Sequence, residues 1–299
     1  MKEPCFLGAA TAIVTPFIND EIDYIAYDRL LSQQLDAGID AIVVCGTTGE
    51  ASTMDAKEKL DLLRHTVFFV GGRCKVIAGS GTNSTASSVA LSKEAHDCGA
   101  DALLVVTPYY NKCSQSGLIA HYFAIADTVD IPMIVYNVPT RTGVTIRPET
   151  CLALSKHPNI NGIKEASGSI SQVARILNLC GDDFHVWSGN DDQTTATMAL
   201  GGAGVISVLS NICPNAVVQT AHSCLAGNFA ESAKLQRRYM PLIDALFSDV
   251  NPIPVKTALH ELGLCNADLR MPLSPISDEL RAKLCEVLAK CPDTKKPPK

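Results

Sequence analysis

A lysine closes the apolar run Asn161-Gly162-Ile163-Lys164, and the small-residue stretch Glu165-Ala166-Ser167-Gly168 follows it. Burying an unpaired ammonium is costly, so the ordinary reading is a solvated lysine at a strand edge. The alternative is an amine kept partly neutral by its surroundings, able to attack a carbonyl and form a Schiff base. That chemistry needs companions. A tyrosine can move the protons of carbinolamine formation and dehydration if hydroxyl groups relay them. Tyr136 ends another apolar run, and Thr47, Thr48 and Tyr110 supply hydroxyls. Backbone N–H groups in Gly46-Thr47-Thr48-Gly49 can hold one carboxylate, and Arg141 can hold a second one bidentately. The set suits a 2-oxo acid and another anionic molecule. Singly, each residue has a plain explanation: a Thr-Thr turn, a packed tyrosine, a solvated loop arginine. Only a fold that gathers them makes them a site.

The spacing predicts such a fold. Apolar runs over residues 6–13, 41–44, 75–79, 101–106, 132–136, 161–164, 184–188 and 204–208 read as strands, and they are continuous, as in a parallel sheet covered on both faces. Helical periodicity fills the intervals at 24–37, 55–70, 84–98, 117–128, from Pro148, 170–180, from about Gln193 and 214–226, with Asp55 as one cap and Gly189-Asn190-Asp191-Asp192 as another. Eight such units in residues 1–226 predict an α/β fold, a (β/α)8 TIM barrel. A doubly wound open sheet would bring a Gly-rich loop after its first strand, and residues 11–17 contain none. Residues 227–299 read as a C-terminal helical region, with periodicity at 229–247, 253–262 and 278–289 and a frayed tail over 291–299. In a TIM barrel, chemistry sits at the C-terminal ends of the strands. Those ends carry Thr47 and Thr48, Tyr110, Tyr136 with Arg141, Lys164, Gly189 and Ile206.

Composition narrows the function classes. The 299 residues carry a net charge of −6, which argues against nucleic acid or an anionic membrane as the main partner. No apolar stretch approaches the ~18 residues of a membrane span, and residues 1–14 lack the charge and apolar length of a secretory leader. The twelve cysteines are scattered singly, with no CxxC. Free thiols in the cytoplasm fit better than a disulfide framework or a metal site.

The strings Cys45-Gly46-Thr47-Thr48-Gly49-Glu50, Tyr136-Asn137-Val138-Pro139-Thr140-Arg141-Thr142-Gly143 and Gly162-Ile163-Lys164-Glu165-Ala166-Ser167-Gly168 resemble the dihydrodipicolinate synthase and N-acetylneuraminate lyase superfamily. Val106-Thr107-Pro108-Tyr109-Tyr110-Asn111-Lys112 and Asn251-Pro252-Ile253-Pro254-Val255-Lys256 extend the resemblance in order along essentially the whole chain. Arg141 points to the synthase branch, because sugar-acid lyases usually carry other residues in that loop. The resemblance implies a lyase of lysine and diaminopimelate biosynthesis. Pyruvate would form a Schiff base on Lys164, and the enamine would attack L-aspartate 4-semialdehyde guided by Arg141. Tyr136 would exchange protons, with Thr47 and Tyr110 linking it to solvent and Tyr110 crossing a subunit interface. Thr48 and the backbone at Ile206 would hold pyruvate's carboxylate, and Gly189 would belong to the substrate-binding set. It also implies no metal or organic cofactor and a homotetramer built as a dimer of tight dimers. The second reading is an aldolase for a sugar-derived 2-oxo acid, such as N-acetylneuraminate or a 2-keto-3-deoxy sugar acid. Asn83 and Tyr109 match the site where some members bind lysine as inhibitor, but Ala56, Lys59 and Ser87 replace the residues of lysine-sensitive members, which implies weak or absent inhibition.

Overall fold

All eight expected strands form and close into one parallel barrel in chain order, the first pairing with the last. The structure, a computed structural model, describes residues 2–294. The strands are β1 (Gly8–Ala12), β2 (Ala41–Val44), β3 (Lys75–Gly79), β4 (Ala102–Val106), β5 (Met133–Asn137), β6 (Ile160–Glu165), β7 (His185–Ser188) and β8 (Gly204–Ser207). Helices α1 (Tyr24–Asp36), α2 (Ala56–Val70), α3 (Thr85–Asp97), α4 (Gln115–Ala126), α5 (Pro148–Leu154), α6 (Ile170–Cys180), α7 (Thr194–Ala199) and α8 (Pro214–Leu225) alternate with them. Then come α9 (Phe229–Leu246), α10 (Ile253–Glu261) and α11 (Asp278–Lys290). The chain therefore carries a TIM barrel followed by a helical extension. Of the expected frayed tail, residues 292–294 form a short 3-10 turn, and 295–299 lie outside the described residues.

Local chemistry explains the element boundaries. Asp55 accepts from the Glu58 amide while the Glu58 side chain accepts from the Asp55 amide, a reciprocal box that starts α2. Ser84 and Ser169 cap α3 and α6 one way only, each side chain accepting from the amide three residues on, and each such cap contributes about 1 kcal/mol. Two small elements were not foreseen. A hairpin pairs Phe17–Ile18 with Glu21–Ile22 through Asn19 and Asp20, both at positive φ, the geometry its two-residue turn requires. Arg141, expected in a loop, sits on a one-turn helix, Pro139–Thr142, closed by Gly143 at φ 69°.

Side chains alternate between two buried layers, which is why the strands read as unbroken apolar runs. Ile42, Val44, Leu103, Val105, Met133, Val135, Ile163 and Val186 face the helices. Ala10, Ala12, Ala41, Val43, Ile77, Leu104, Ile134, Tyr136, Trp187 and Ile206 fill the barrel. Trp187, fully buried, needs the space left by Gly162, where a Cβ would stand 2.8 Å from the indole and 2.1 Å from the His185 carbonyl oxygen. Phe6 stacks on the indole at 5.2 Å and closes the bottom of the barrel.

One irregularity decides which way β6 presents its lysine. Met133 pairs with Ile160, but the next residue, Ile134, pairs with Gly162, leaving Asn161 as an extra residue between them. Ile160 belongs to the outer layer, so unbroken alternation would send Lys164 outward as well. The bulge resets the phase and points Lys164 into the barrel opposite Tyr136. Asn161 is held there by the N-terminal segment: its Oδ1 accepts from the Cys5 amide at 3.0 Å and its Nδ2 donates to the Glu3 carbonyl at 2.8 Å.

Candidate active site

The barrel brings all but one of the expected polar residues to one rim. Tyr136 and Lys164 are register partners on β5 and β6, and the Lys164 Nζ stands 4.5 Å from the centre of the Tyr136 ring. Lys164 is only 6% exposed. Burial pushes its ammonium down to about 8, with Arg141 adding to the shift and Asp191 opposing it. At that value roughly one amine in ten is neutral at pH 7, against about one in three thousand for an ordinary lysine. An amine is nucleophilic only in its neutral form. Burial also raises the Tyr136 phenol, while Arg141 and a hydrogen bond with Thr47 hold it back. Gly189, at the end of β7, leaves the room Lys164 needs: a Cβ there would stand 3.0 Å from Lys164 Cε and 2.6 Å from Ala166 Cβ.

The loop after β2 is shaped by backbone strain. Cys45 and Glu50, both non-glycine residues at positive φ, bracket Gly46 to Gly49. Two partners hold Glu50 in place: the buried Lys256 ammonium from α10 at 2.6 Å and the amide of half-buried Arg270 at 3.0 Å. Both Lys256 and Glu50 are almost fully enclosed. Burial lowers the Lys256 ammonium, and Glu50 counteracts this. Asn251 then ties the loop to the rim, its Nδ2 donating to the Thr48 hydroxyl at 3.0 Å and its carbonyl accepting from Arg141 at 3.0 Å. Among the described residues, the Thr47 and Thr48 amides donate to no protein acceptor.

A cavity of about 310 Å³ opens on Thr47, Tyr136, Arg141, Tyr109 and Lys59. Lys164 does not line it, and the amine adjoins it through the Tyr136 ring. A larger depression, about 1040 Å³, lies between the hairpin, the start of α2 and residues 267–281. No rim residue lines it, so size alone does not locate the chemistry. Among the described residues, no group of three or more His, Cys, Asp or Glu is arranged to hold a metal ion.

Lys164, Tyr136, Thr47, Thr48, Arg141, Gly189 and Ile206 thus share the mouth of the barrel. Tyr110 does not: it stands 89% exposed at φ 71°, and its neighbour Tyr109 lines the cavity instead. Three contributors were missed: Asn251, Lys256 and Asp191. Asn251 and Lys256 lie in the string Asn251-Pro252-Ile253-Pro254-Val255-Lys256, where neither announces a role by its neighbours. Asp191 was expected to help cap the helix from Gln193, but α7 begins at Thr194 with no side-chain cap. Asp191 instead accepts from the amides of Val208 and Leu209, at 3.0 and 2.9 Å, and fixes the backbone just beyond Ile206. Its burial raises its carboxyl, against hydrogen bonds from Ser207 and those two amides.

The chain is similar to known proteins along almost its whole length. A 4-hydroxy-tetrahydrodipicolinate synthase of Geobacter sulfurreducens is 48% identical over 283 residues, 95% of this chain and 98% of the relative. The structure of a monomeric dihydrodipicolinate synthase variant superposes with a TM-score of 0.95 at 44% identity, covering 97% of this chain and 98% of that one. The enzyme of Acinetobacter baumannii, solved in complex with pyruvate, superposes with a TM-score of 0.95 at 39% identity, covering 96% and 99%. Residues 5–291 match the model of the Dihydrodipicolinate synthetase family, and with the barrel, the rim lysine and these relatives in agreement, the chain belongs to that family.

Proposed function

We propose that this rim carries out 4-hydroxy-tetrahydrodipicolinate synthesis from pyruvate and L-aspartate 4-semialdehyde, with Lys164 as the amine. The neutral Nζ attacks the ketone carbon of pyruvate, and water leaves as the imine forms. Loss of a methyl proton gives the enamine, whose terminal carbon attacks the aldehyde and forms the new carbon–carbon bond. The amino group of the second substrate then displaces Lys164 from the imine carbon, closing a six-membered ring and freeing the enzyme. The water lost in imine formation is the only by-product. Tyr136, against the amine and bonded to Thr47, is placed to take and return the protons of these steps. The unengaged Thr47 and Thr48 amides suit pyruvate's carboxylate, with the backbone at Ile206 completing the cradle.

The observation that carries this reading is the buried, partly neutral lysine held in register with a buried tyrosine. Arg141, at the rim and already bonded to the Asn251 carbonyl, serves as the clamp for the aldehyde's carboxylate. Replacing Arg141 with alanine removes a charged hydrogen bond of about 1.5–3 kcal/mol. The KM for aspartate semialdehyde should therefore rise roughly ten- to a hundredfold, while borohydride still traps pyruvate on the enzyme. Steady-state kinetics with each substrate varied in turn checks this. A variant that loses affinity for pyruvate and not for the aldehyde would overturn the assignment, and wild-type turnover of a sugar-derived 2-oxo acid in preference to the aldehyde would favour the aldolase reading.

Tyr110 is best explained by assembly. We assign it to the site of a neighbouring subunit in a tetramer of tight dimers, on the support of its exposed ring and strained backbone. Cytoplasmic residence suits a chain whose cysteines are all free and which has no membrane-spanning helix among the described residues. Lysine should inhibit weakly or not at all. Lys59 and Arg141 already line the cavity, where a further ammonium meets like charge. Activity assayed across a lysine titration tests this, and half-inhibition below millimolar lysine would refute it.

A further inference from the structure

Directly beyond the inward pair Tyr136 and Lys164, the next register pair is Asn137 and Glu165, facing outward and buried. The Asn137 Nδ2 donates to both Glu165 oxygens, at 3.1 and 2.9 Å. The Ser167 amide donates to Glu165 Oε1 at 2.7 Å, and Gln172 Nε2 to Oε2 at 2.9 Å. The Asn137 Oδ1 accepts from the Ile146 amide at 2.9 Å. No ion pair neutralises Glu165 among the described residues, so amide donors alone satisfy it. An acidic side chain is an expensive way to fill a buried site that an apolar one could fill.

What the network joins is informative. Glu165 adjoins Lys164 in the chain, and Asn137 adjoins Tyr136. Ile146 ends the segment that carries Arg141, and Ser167 lies in the loop after β6. One carboxylate and one carboxamide therefore fix four backbone segments that together define the rim. The two side chains point away from the cavity and touch no reacting atom. Their effect on the inward pair is transmitted through one residue of each strand, because turning Asn137 or Glu165 about its strand also turns its neighbour.

We propose that Glu165 and Asn137 are positioning residues, which set the separation and tilt of Tyr136 relative to Lys164 and so the rate of the proton-transfer steps. The proposal rests on Lys164 being the Schiff-base amine. A misplacement of about 1 Å in such a pair can cost on the order of a hundredfold in rate.

The test uses Glu165→Gln, which keeps the shape but turns one acceptor into a donor facing Asn137, Gln172 or the Ser167 amide. Its kcat should fall about ten- to a hundredfold, with the KM for pyruvate within about twofold and far-UV circular dichroism unchanged. Gln172→Leu, at the edge of the network, should show the same split at a fewfold loss and covers the case in which Glu165→Gln folds poorly. The double variant Asn137→Asp/Glu165→Gln restores one acid facing one amide and should regain at least about half of the lost activation free energy. Pyruvate trapping by borohydride on the wild type, run alongside, distinguishes a failed Schiff base from failed positioning. If the wild type traps nothing on Lys164, the Schiff-base reading fails and this proposal with it. If the wild type traps normally but Glu165→Gln and Gln172→Leu keep full kcat, or lose it only in proportion to lost folded protein, positioning alone is refuted.

Discussion

Replacing Lys164 with methionine should abolish catalysis and at the same time make the folded chain more stable. The catalytic half follows from the chemistry. Without the amine no imine forms, and kcat/KM should fall on the order of a thousandfold or more. Intact mass after pyruvate and borohydride should show the wild type heavier by one pyruvic acid less one oxygen atom, and the variant unchanged. A wild-type chain whose mass does not move would remove the mechanism altogether. The stability half follows from burial. Lys164 titrates at about 8 in the fold instead of 10.5, so its charged form is disfavoured by about 3 kcal/mol relative to the unfolded chain. That penalty is fully present below about pH 8, where both states are charged, and fades as pH rises towards 10.5, where both are neutral. The variant should therefore gain stability at neutral pH and lose the gain at high pH. Urea unfolding of both proteins at pH 7 and pH 10 checks the sign. A variant less stable than the wild type at pH 7 would show that the lysine is well accommodated after all.

The largest loss of stability should come from the far side of the Thr-Thr loop. Removing either partner of the Lys256 and Glu50 pair leaves the other buried and uncompensated, at a cost of about 3–5 kcal/mol. Glu50→Ala adds a functional loss, because Glu50 holds the end of the loop in a left-handed conformation and Thr47 and Thr48 ride on that loop. The double variant Lys256→Met/Glu50→Gln removes the charges together and keeps an acceptor for the Arg270 amide. It should be more stable than either single variant. Equilibrium unfolding of the wild type, Lys256→Met, Glu50→Gln and the double variant closes the cycle. Single variants within about 1 kcal/mol of the wild type would show the pair to be hydrated in solution.

The parts of this architecture that were legible in the sequence share a physical cause. Strands buried on both faces are apolar throughout, so their polar ends are conspicuous, and Lys164, Tyr136 and the Thr-Thr loop all stand at such ends. Arg141 was legible as a rim charge, although not as the third residue of a one-turn helix. What escaped depends on pairing between distant segments. Asn251 reaches the rim from beyond the barrel, and nothing in its own neighbourhood announces the hydrogen bond to Thr48. Lys256 lies in an apolar stretch of α10 and reads as an ordinary helix residue until Glu50 is placed opposite it. Asp191 looked like a helix cap because cap residues and loop-fixing residues are the same residue types. Tyr109 and Tyr110 differ by one position, and only the loop's backbone decides which of them the cavity receives.

The extra residue in β6 gives that strand something like a reading frame. Its meaning is carried by parity: a change of one residue inverts the whole message downstream, whereas a change of two moves it by one layer and leaves its sense intact. Asn161 is the character that sets the frame, and Glu3 and Cys5 hold it in place from the floor of the barrel. The orientation of the Lys164 amine is therefore written at the opposite end of the strand from the rim, by residues remote from the cavity. Aligning this segment by matching hydrophobic letters to a barrel without the bulge would assign every later side chain of β6 to the wrong face.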